Sequence, residues 1–234
     1  MKTIKPKDRL IVALDVPSPA EAKKWAKKLS PTVGFFKVGL ELFTAGGPET
    51  VAGIRALGAD VFLDLKFFDI PNTMAGALKS AAKLKPSLVN VHALAGPEAL
   101  AKCAETLKQL KNPPKLLAVT ILTSFSNEEL KKTGVKHGSA KMVSHLCRMA
   151  LDAGADGVVA SPLETKKLRD EFGEKFLIVT PGVRPEWSAK NDQKRVATPR
   201  EAIDDGADYI VVGRPILSSP NPLEAAKKVV EEIS

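Results

Sequence analysis

Residues 62–73 of this chain read FLDLKFFDIPNT, which places Asp64, Lys66 and Asp69 at the end of an apolar segment. Successive side chains of a strand point to opposite faces, so Asp64 and Lys66 share one face while the leucines next to them share the other. Isolated charges among apolar residues are unfavourable unless they are paired or serve a function. An acid, a base and a second acid at a strand terminus therefore indicate a reaction centre.

Eight short apolar segments, including the one that carries this stretch, alternate with helical patterns along the chain. Strands that helices cover on both faces are typically rich in Val, Ile, Leu and Phe. The predicted strands are Leu10–Val16, Gly34–Val38, Asp60–Lys66, Leu88–His92, Lys115–Leu122, Gly157–Ser161, Phe176–Thr180 and Tyr209–Gly213. The predicted helices are Pro19–Leu29, Thr50–Leu57, Thr73–Lys83, Pro97–Leu110, Lys141–Ala153, Leu163–Glu171, Pro199–Asp204 and Pro222–Ile233.

Strands that alternate with helices form a parallel sheet. Eight such units in 234 residues favour a closed barrel over an open doubly wound sheet. No linker, low-complexity tract or charge block divides the chain. We therefore predict an α/β fold, a (β/α)8 TIM barrel, with a single domain over residues 1–234.

The composition disfavours several classes of protein. Cys103 and Cys147 are too few for a disulfide scaffold and lack metal-ligand spacing, so we expect small, buried helix side chains. Residues 1–9 are not followed by the apolar run of a signal peptide, and no segment reaches the ~18 apolar residues of a membrane span. We expect a cytoplasmic protein with reduced thiols and no membrane partner.

The formal net charge of +8 comes from 35 Lys and Arg against 27 Asp and Glu. The lysines are scattered over the predicted helices, and no aromatic residues are interleaved with a basic stripe. This pattern is typical of solvated helix faces, and its field favours an anionic small-molecule substrate. We expect no nucleic-acid partner, and nucleic-acid binding is the competing interpretation of the charge.

In barrels of this kind the active site forms at the carboxyl ends of the strands. Four of the polar residues there have structural alternatives: Asp15 or Lys37 could form a structural ion pair, His92 could hydrogen-bond within the mouth, and Ser161 could begin a helix. No histidines have ligand spacing, so we predict no metal site. The polar residues at predicted strand ends are Asp15, Lys37, Asp64, Lys66, Asp69, His92, Thr120, Thr123, Ser124, Ser161, Thr180, Arg184 and Arg214.

The loops after strands seven and eight of such barrels often bind phosphate. Here they read PGVRP at residues 181–185 and VGRP at residues 212–215. The glycines let backbone N–H groups approach an anion, and an arginine guanidinium binds phosphate through paired hydrogen bonds. The alternative is a pair of turns with solvent-facing arginines. The polar segment 184–198 has the length of a lid, from which Gln193 could reach a phosphate.

These segments together resemble the orotidine 5′-phosphate decarboxylases of the single-function bacterial type over the whole chain. The Asp-x-Lys-x-x-Asp pattern becomes specific through its extension by Ile70–Thr73 and the order of the two phosphate segments. Phe68 departs from the family, in which many members have His there, and we expect it to affect packing more than chemistry. The matching segments are Ala13–Val16, Phe36–Gly39, Asp64–Thr73, Val119–Ser124, Pro181–Pro185, Asp192–Arg195, Thr198–Pro199 and Val212–Ile216.

The resemblance implies decarboxylation of orotidine 5′-monophosphate to uridine 5′-monophosphate in pyrimidine biosynthesis, without a metal or an organic cofactor. It implies that Lys66 stabilises the C6 carbanion and protonates it, with Asp64 near the departing carboxylate. Lys37 and Asp15 would complete an alternating charge network and contact the ribose. The remaining expected contacts are Thr123 or its neighbour Ser124 with the base, and Arg184, Gln193, Gly213 and Arg214 with the phosphate.

The resemblance also implies a homodimer with shared active sites. In the family, the residues at the positions of Asp69 and Thr73 reach the neighbouring subunit's site. Sequence spacing alone cannot show this, although Asp69 does lie three residues beyond Lys66, past the predicted end of the strand.

One alternative is a Mg²⁺-dependent sugar-phosphate decarboxylase or aldolase of the same barrel superfamily. Keto-gulonate-phosphate decarboxylases and hexulose-phosphate synthases also carry the Asp-x-Lys-x-x-Asp pattern. The extension Ile70–Thr73 disfavours both. A second alternative, a non-catalytic protein that binds nucleotides or nucleic acid, is disfavoured by the intact set of charges.

Overall fold

A computed structural model of the chain describes residues 4–136, 138–188 and 197–234. Eight parallel strands form a closed barrel in chain order, and the last strand pairs with the first. This confirms the predicted (β/α)8 barrel. The strands are β1 Leu10–Ala13, β2 Phe35–Gly39, β3 Asp60–Phe67, β4 Leu88–His92, β5 Lys115–Val119, β6 Gly157–Val159, β7 Leu177–Pro181 and β8 Tyr209–Val212.

Helices surround the barrel, and most of those in the described ranges begin at a proline. Proline suits the first turn of a helix because its missing N–H has no partner there in any case. The helices are α1 Pro6–Arg9, α2 Pro19–Leu29, α3 Leu40–Arg55, α4 Pro71–Ala82, α5 Pro97–Lys108, α6 Asn127–Lys132, α7 Ser139–Asp152, α8 Pro162–Phe172, α9 Pro199–Asp204, α10 Arg214–Leu217 and α11 Pro222–Glu232, with a short 3₁₀ turn at Ala93–Ala95.

Most predicted elements differ from their observed bounds by one to three residues, and the differences at α3 and β1 have identifiable reasons. Helix α3 begins at Leu40 rather than Thr50, because a helical piece that was not predicted precedes Gly47, which has the non-helical angles φ 57° and ψ −155° and separates it from the predicted piece. Strand β1 ends at Ala13 rather than Val16, because its ladder with β2 reaches only the pair Ala13 and Lys37. The carboxyl end of β1 therefore lies deeper in the barrel than its apolar run indicates.

The core has two layers, one inside the barrel and one between the barrel and its helices. The larger outer layer contains Cys103 and Cys147, both free and buried, as predicted. Burial raises the pKa of the Cys103 thiol to about 11 and that of Cys147 to about 12, so both thiols stay protonated at neutral pH. The inner layer consists of Ile11, Ala13, Phe35, Phe62, Leu88, Leu117, Val179 and Val211.

Because side chains fill the barrel interior, the barrel is a packed core rather than a pore. None of the helices in the described ranges is long and apolar enough to cross a membrane.

Candidate active site

An irregularity in β3 shapes the centre of the barrel mouth. The ladder between β3 and β4 pairs Leu63 with Val89 and next pairs Phe67 with Val91, so four residues of β3 advance against two of β4. Lys66, within this bulge, has a φ of +49°, a left-handed conformation that is rare for a residue with a Cβ. Bulges commonly re-aim side chains near active sites. Here the bulge accompanies a contact of 2.6 Å between Lys66 Nζ and Asp64 Oδ1.

Four charged side chains, from β2, β3 and the loop after β1, form a continuous row of alternating sign. Lys37 Nζ lies 2.9 Å from Asp15 Oδ1 and 3.3 Å from Asp64 Oδ2, and Asp64 continues the row to Lys66. A glycine at position 39 leaves room for this row, since a Cβ there would lie 2.9 Å from Lys37 Nζ. The structure thus brings together Asp15, Lys37, Asp64 and Lys66.

The row keeps its two least exposed members, Asp64 and Lys37, charged. Burial alone would raise the pKa of Asp64, but the charges of Lys37 and Lys66 and hydrogen bonds from Lys66 and Asn90 outweigh it and lower the pKa below its ordinary value. Burial alone would lower the pKa of Lys37, but Asp64 and Asp15 raise it above its ordinary value. Asp64 and Lys37 are therefore both ionised at neutral pH.

Sequence reasoning missed one residue of this cluster, Asn90 on β4. Its Nδ2 donates to Asp64 Oδ1 at 2.6 Å, and its Oδ1 accepts from the Lys66 backbone N–H at 2.8 Å. Asn90 is fully buried. A signal was present in the sequence, because an amide within the apolar segment Leu88–His92 needs hydrogen-bond partners.

A cavity of about 210 Å³ opens beside this row. Lys37, Asp64 and Lys66 line its charged side, and Phe62, Val119 and other apolar residues line the remainder. Thr123 and Ser124 both contribute to the lining, so the geometry leaves both open as a contact for a planar ring.

A second cavity, of about 150 Å³, lies between Asp15 and the loops after β7 and β8. Lys37 lines both cavities and so connects them. Arg184 and Arg214 give the second cavity its positive charge, and it also contacts Gly182 and Gly213. Arg184 is buried and Arg214 is exposed.

The loop that follows β7 is fastened at both of its described ends. Val183 forms a parallel bridge with Ala197, and the Arg184 N–H donates to the Ala197 carbonyl at 2.9 Å. This bridge holds Arg184 at the mouth of the barrel. Gln193, predicted to reach the phosphate from this loop, lies outside the described residues.

Asp69 and Thr73 do not join the row. Both are exposed, and neither is among the residues that line the two cavities. The Asp69 carboxylate accepts a hydrogen bond from the adjacent Ile70 N–H at 2.7 Å. Both side chains are therefore accessible to a second molecule.

Two other polar residues at strand ends, His92 and Ser161, have the structural roles that the sequence analysis gave as alternatives to a functional role. His92 Nδ1 accepts from the Leu94 N–H at 3.3 Å, and its ring lies 5.6 Å from that of Phe68. Burial and the nearby charge of Lys66 lower the pKa of His92, so the imidazole is neutral at pH 7. Ser161 caps α8 through a capping box with Glu164.

The arrangement suits a reaction that develops negative charge on a bound ring. A fixed ammonium group beside an apolar cavity stabilises an anion without the reorganisation that water would need. The adjoining arginine-lined cavity suits a phosphate group. Among the residues that the structure describes, no group of three or more His, Cys, Asp and Glu is arranged to hold a metal ion.

The closed barrel and the charged mouth define a (β/α)8-barrel enzyme. A sequence model described as orotidine 5′-phosphate decarboxylase / HUMPS family matches residues 8–229. The chain belongs to this family.

Two curated relatives have the name orotidine 5′-phosphate decarboxylase. The one from Trichlorobacter lovleyi is 49% identical over 230 residues, which cover 97% of this chain and 95% of the relative. The one from Geotalea daltonii is 52% identical over 228 residues, which cover 96% of this chain and 95% of the relative. The crystal structure of orotidine 5′-phosphate decarboxylase from Lactobacillus acidophilus superposes with a TM-score of 0.86 at 39% identity and covers 97% of this chain and 99% of that chain.

Proposed function

We propose that this chain decarboxylates orotidine 5′-monophosphate to uridine 5′-monophosphate in pyrimidine biosynthesis. The observation that carries the proposal is the row Asp15–Lys37–Asp64–Lys66, which runs between an apolar cavity and a basic one. The substrate has the matching order of a planar pyrimidine, a ribose and a phosphate. Curated relatives of about the same length with this activity in their names support the same conclusion.

The proposed seating follows the two cavities. The pyrimidine occupies the cavity beside Lys66, with Thr123 or Ser124 as its polar contact. The ribose hydroxyls meet Asp15 and Lys37, which line the junction of the two cavities. The phosphate is bound by the remaining predicted contacts, namely Arg184, Gln193, Gly213 and Arg214.

In the proposed reaction the bond between C6 and the carboxylate carbon breaks, and the electron pair stays on C6 as CO2 leaves. Asp64 faces the departing carboxylate, and the repulsion between the two negative charges raises the energy of the bound substrate. The ammonium of Lys66 stabilises the C6 carbanion and then gives it a proton. Asp64 and Lys37 hold the Lys66 ammonium in place, and no metal or organic cofactor takes part.

We also propose that the chain is a homodimer with shared active sites. Four large apolar side chains lie exposed at the carboxyl ends of the neighbouring strands β2, β3 and β4, and an exposed apolar rim of this kind marks a protein interface. Asp69 and Thr73 lie on the same rim, where they would enter the partner's cavity. The exposed apolar residues are Leu40, Phe68, Ile70 and Leu94, from 45% to 67% exposed.

The direct test of the decarboxylase proposal is turnover of orotidine 5′-monophosphate, followed through the loss of its absorbance. We expect Lys66→Ala to lower kcat on the order of 10³-fold, because the variant loses both the fixed cation and the proton donor. Lys79→Ala, which removes an exposed lysine from α4, is the matched control and should keep the wild-type rate. A Lys66→Ala variant with near-wild-type turnover would contradict the role given to Lys66.

The phosphate site has its own test. We expect Arg214→Ala to lower kcat/KM by about 10²-fold or more, since phosphate binding also supplies energy that organises the reacting groups. Arg200→Ala is the control, because Arg200 is an exposed arginine on α9 that contacts the chain terminus instead. Equal kcat/KM values for the two variants would remove Arg214 from the site.

Chelation separates this proposal from the Mg²⁺-dependent alternative. The proposed reaction proceeds at the same rate in excess EDTA, whereas a sugar-phosphate enzyme of the same superfamily would lose its activity. The cytoplasmic location and the absence of nucleic-acid and membrane partners stay predictions, which cell fractionation and binding assays in salt would test.

A further inference from the structure

The side chain of Asn90 joins the backbone of one active-site residue to the carboxylate of another. Its amide oxygen accepts from the Lys66 N–H, and its amide nitrogen donates to Asp64. The orientation of the amide is fixed by chemistry, because a backbone N–H can only donate and an ionised carboxylate can only accept. A rotated amide would leave both contacts repulsive.

The contact with Lys66 compensates for the bulge of β3. The β3–β4 ladder has no regular pair between Leu63 and Phe67, so the Lys66 N–H bonds the Asn90 side chain instead of a β4 carbonyl. The left-handed backbone at Lys66 persists only where the surroundings fix it. Asn90, fully buried on the neighbouring strand, supplies such a restraint.

The contact with Asp64 divides the two carboxylate oxygens between the two lysines. Oδ1 accepts both from Asn90 Nδ2 and from Lys66 Nζ, each at 2.6 Å. This leaves Oδ2 toward Lys37 Nζ, at 3.3 Å. Without the amide, the carboxylate could rotate about its last torsion, which is a broad one.

We propose that Asn90 is a positioning residue for the decarboxylation, which holds the Asp64 carboxylate and the Lys66 backbone in one arrangement so that the Lys66 ammonium faces the pyrimidine cavity. This inference rests on the proposed function. Asn90 does not line either cavity and acts only through Asp64 and Lys66. Its loss should therefore affect the chemical step and leave substrate binding nearly intact.

The test compares Asn90→Leu, which keeps a similar volume and removes both hydrogen bonds, with the wild type. We expect kcat to fall by about 10²-fold, as for other misplacements of about 1 Å in reacting groups. We expect KM for orotidine 5′-monophosphate and Kd for uridine 5′-monophosphate to stay within about threefold, because the phosphate contacts are unchanged. Amide hydrogen exchange of the peptide around Lys66 should become faster.

Asn90→Asp separates the two bonds. It keeps an oxygen for the Lys66 N–H, so exchange at Lys66 should stay near the wild-type rate. It also places a second carboxyl group against Asp64. This pair shares one proton at low pH, which preserves a hydrogen bond to Asp64, and loses that proton as pH rises. The kcat of Asn90→Asp should therefore fall toward that of Asn90→Leu with rising pH, relative to wild type at the same pH. A kcat equal to wild type over the whole pH range would overturn the proposal.

Asp208→Asn is the control for a loss of stability alone. Asp208 accepts from Arg169 Nη2 at 2.6 Å and from the Ile178 N–H at 2.7 Å, at the amino end of β8, opposite the active site. This variant should unfold more easily yet keep its kcat per folded molecule. The proposal fails if Asn90→Leu keeps kcat within about threefold of wild type, or if Asp208→Asn loses kcat to the same degree. A wild type that does not consume the substrate would instead refute the proposed function.

Discussion

At the residue scale, Asp64 must stay ionised although it is nearly buried. Its pKa in the folded chain lies below the ordinary value of about 3.9, so its ionisation stabilises the fold above that pH, and the stabilisation is lost as pH falls through the lowered pKa. Lys37 has the opposite sign, since its raised pKa gives stability that is lost only in strong alkali. Both contributions are fully present at neutral pH.

We therefore predict that Asp64→Asn costs about 3 kcal/mol of unfolding free energy at pH 7, because it leaves two lysines without the anion between them. The difference from wild type should shrink as pH falls below about 4, where the wild type also loses the charge. Urea unfolding from pH 7 to pH 2.5 measures it. A difference that stayed constant over this range would mean that the charge of Asp64 contributes nothing to the stability.

The sequence predicted the charged residues of the site but not Asn90. Asp15, Lys37, Asp64 and Lys66 could be selected because polar side chains at the ends of apolar runs converge in a barrel. Asn90 sits inside such a run, and its importance depends on the bulge in β3. Regular alternation hides that bulge, because two additional residues in a strand leave the pattern of apolar residues almost unchanged.

At the scale of elements, the sequence predicted the starts of helices that begin with a proline, and it missed the first half of α3 and all of α6. Prolines mark the first residues of α2, α5, α9 and α11, which begin as predicted. The first half of α3 was not predicted, and the non-helical residue Gly47, followed by Pro48, separates it from the half that was predicted. Helix α6 was also missed, although Ser126 and Glu129 form a capping box at its start.

Arg169 fastens α8 to the adjoining ends of the barrel. Its guanidinium donates to the carbonyls of Gly206 at 2.8 Å and Phe176 at 2.9 Å, and to the carboxylate of Asp208 at 2.6 Å. The side chain of Arg169 is 6% exposed. One residue therefore connects α8, the turn before β7 and the turn before β8, far from the charged row.

We predict that Arg169→Met lowers the unfolding free energy by about 3 kcal/mol and leaves kcat per folded molecule unchanged. The change leaves the partly buried carboxylate of Asp208 without its cation and two carbonyls without their donor. Arg148→Met is the matched control, since Arg148 forms an exposed pair with Glu171 at 3.2 Å and should cost much less. Denaturant unfolding and turnover, measured on the same samples, test both statements. Similar losses of stability in the two variants would contradict the fastening role.

At the scale of the whole molecule, the alternation of strands and helices was enough to predict a closed barrel, because eight parallel strands with covering helices leave few other arrangements. The association of two chains could not be predicted from this alternation. The exposed rim consists of Leu40, Phe68, Ile70 and Leu94. These residues come from three separate parts of the chain, and only the fold places them at the ends of neighbouring strands. The proposal of a dimer predicts a result that separate single chains could not produce, namely that two inactive variants regain activity when mixed.

In the proposed dimer, each site takes Lys66 from one subunit and Asp69 from the other. A hybrid of one Lys66→Ala subunit and one Asp69→Ala subunit then contains one fully intact site and one doubly altered site. We predict that equal mixing of the two inactive variants restores about one quarter of wild-type activity, because half of the dimers are hybrids and each has one working site. Activity after mixing, with dimer content followed by light scattering, measures this.

The control for the mixing experiment combines two variants whose changed residues, Asp64 and Lys66, belong to the same chain in every site. Asp64 and Lys66 are in direct contact within one chain, so a hybrid of Asp64→Asn and Lys66→Ala has no intact site and should stay inactive. Activity in this control would mean that mixing restores turnover by some other route. Dimers of Lys66→Ala and Asp69→Ala that stay inactive would mean that Asp69 acts within its own chain, and the exposed position of its carboxylate would then need to change when the substrate binds.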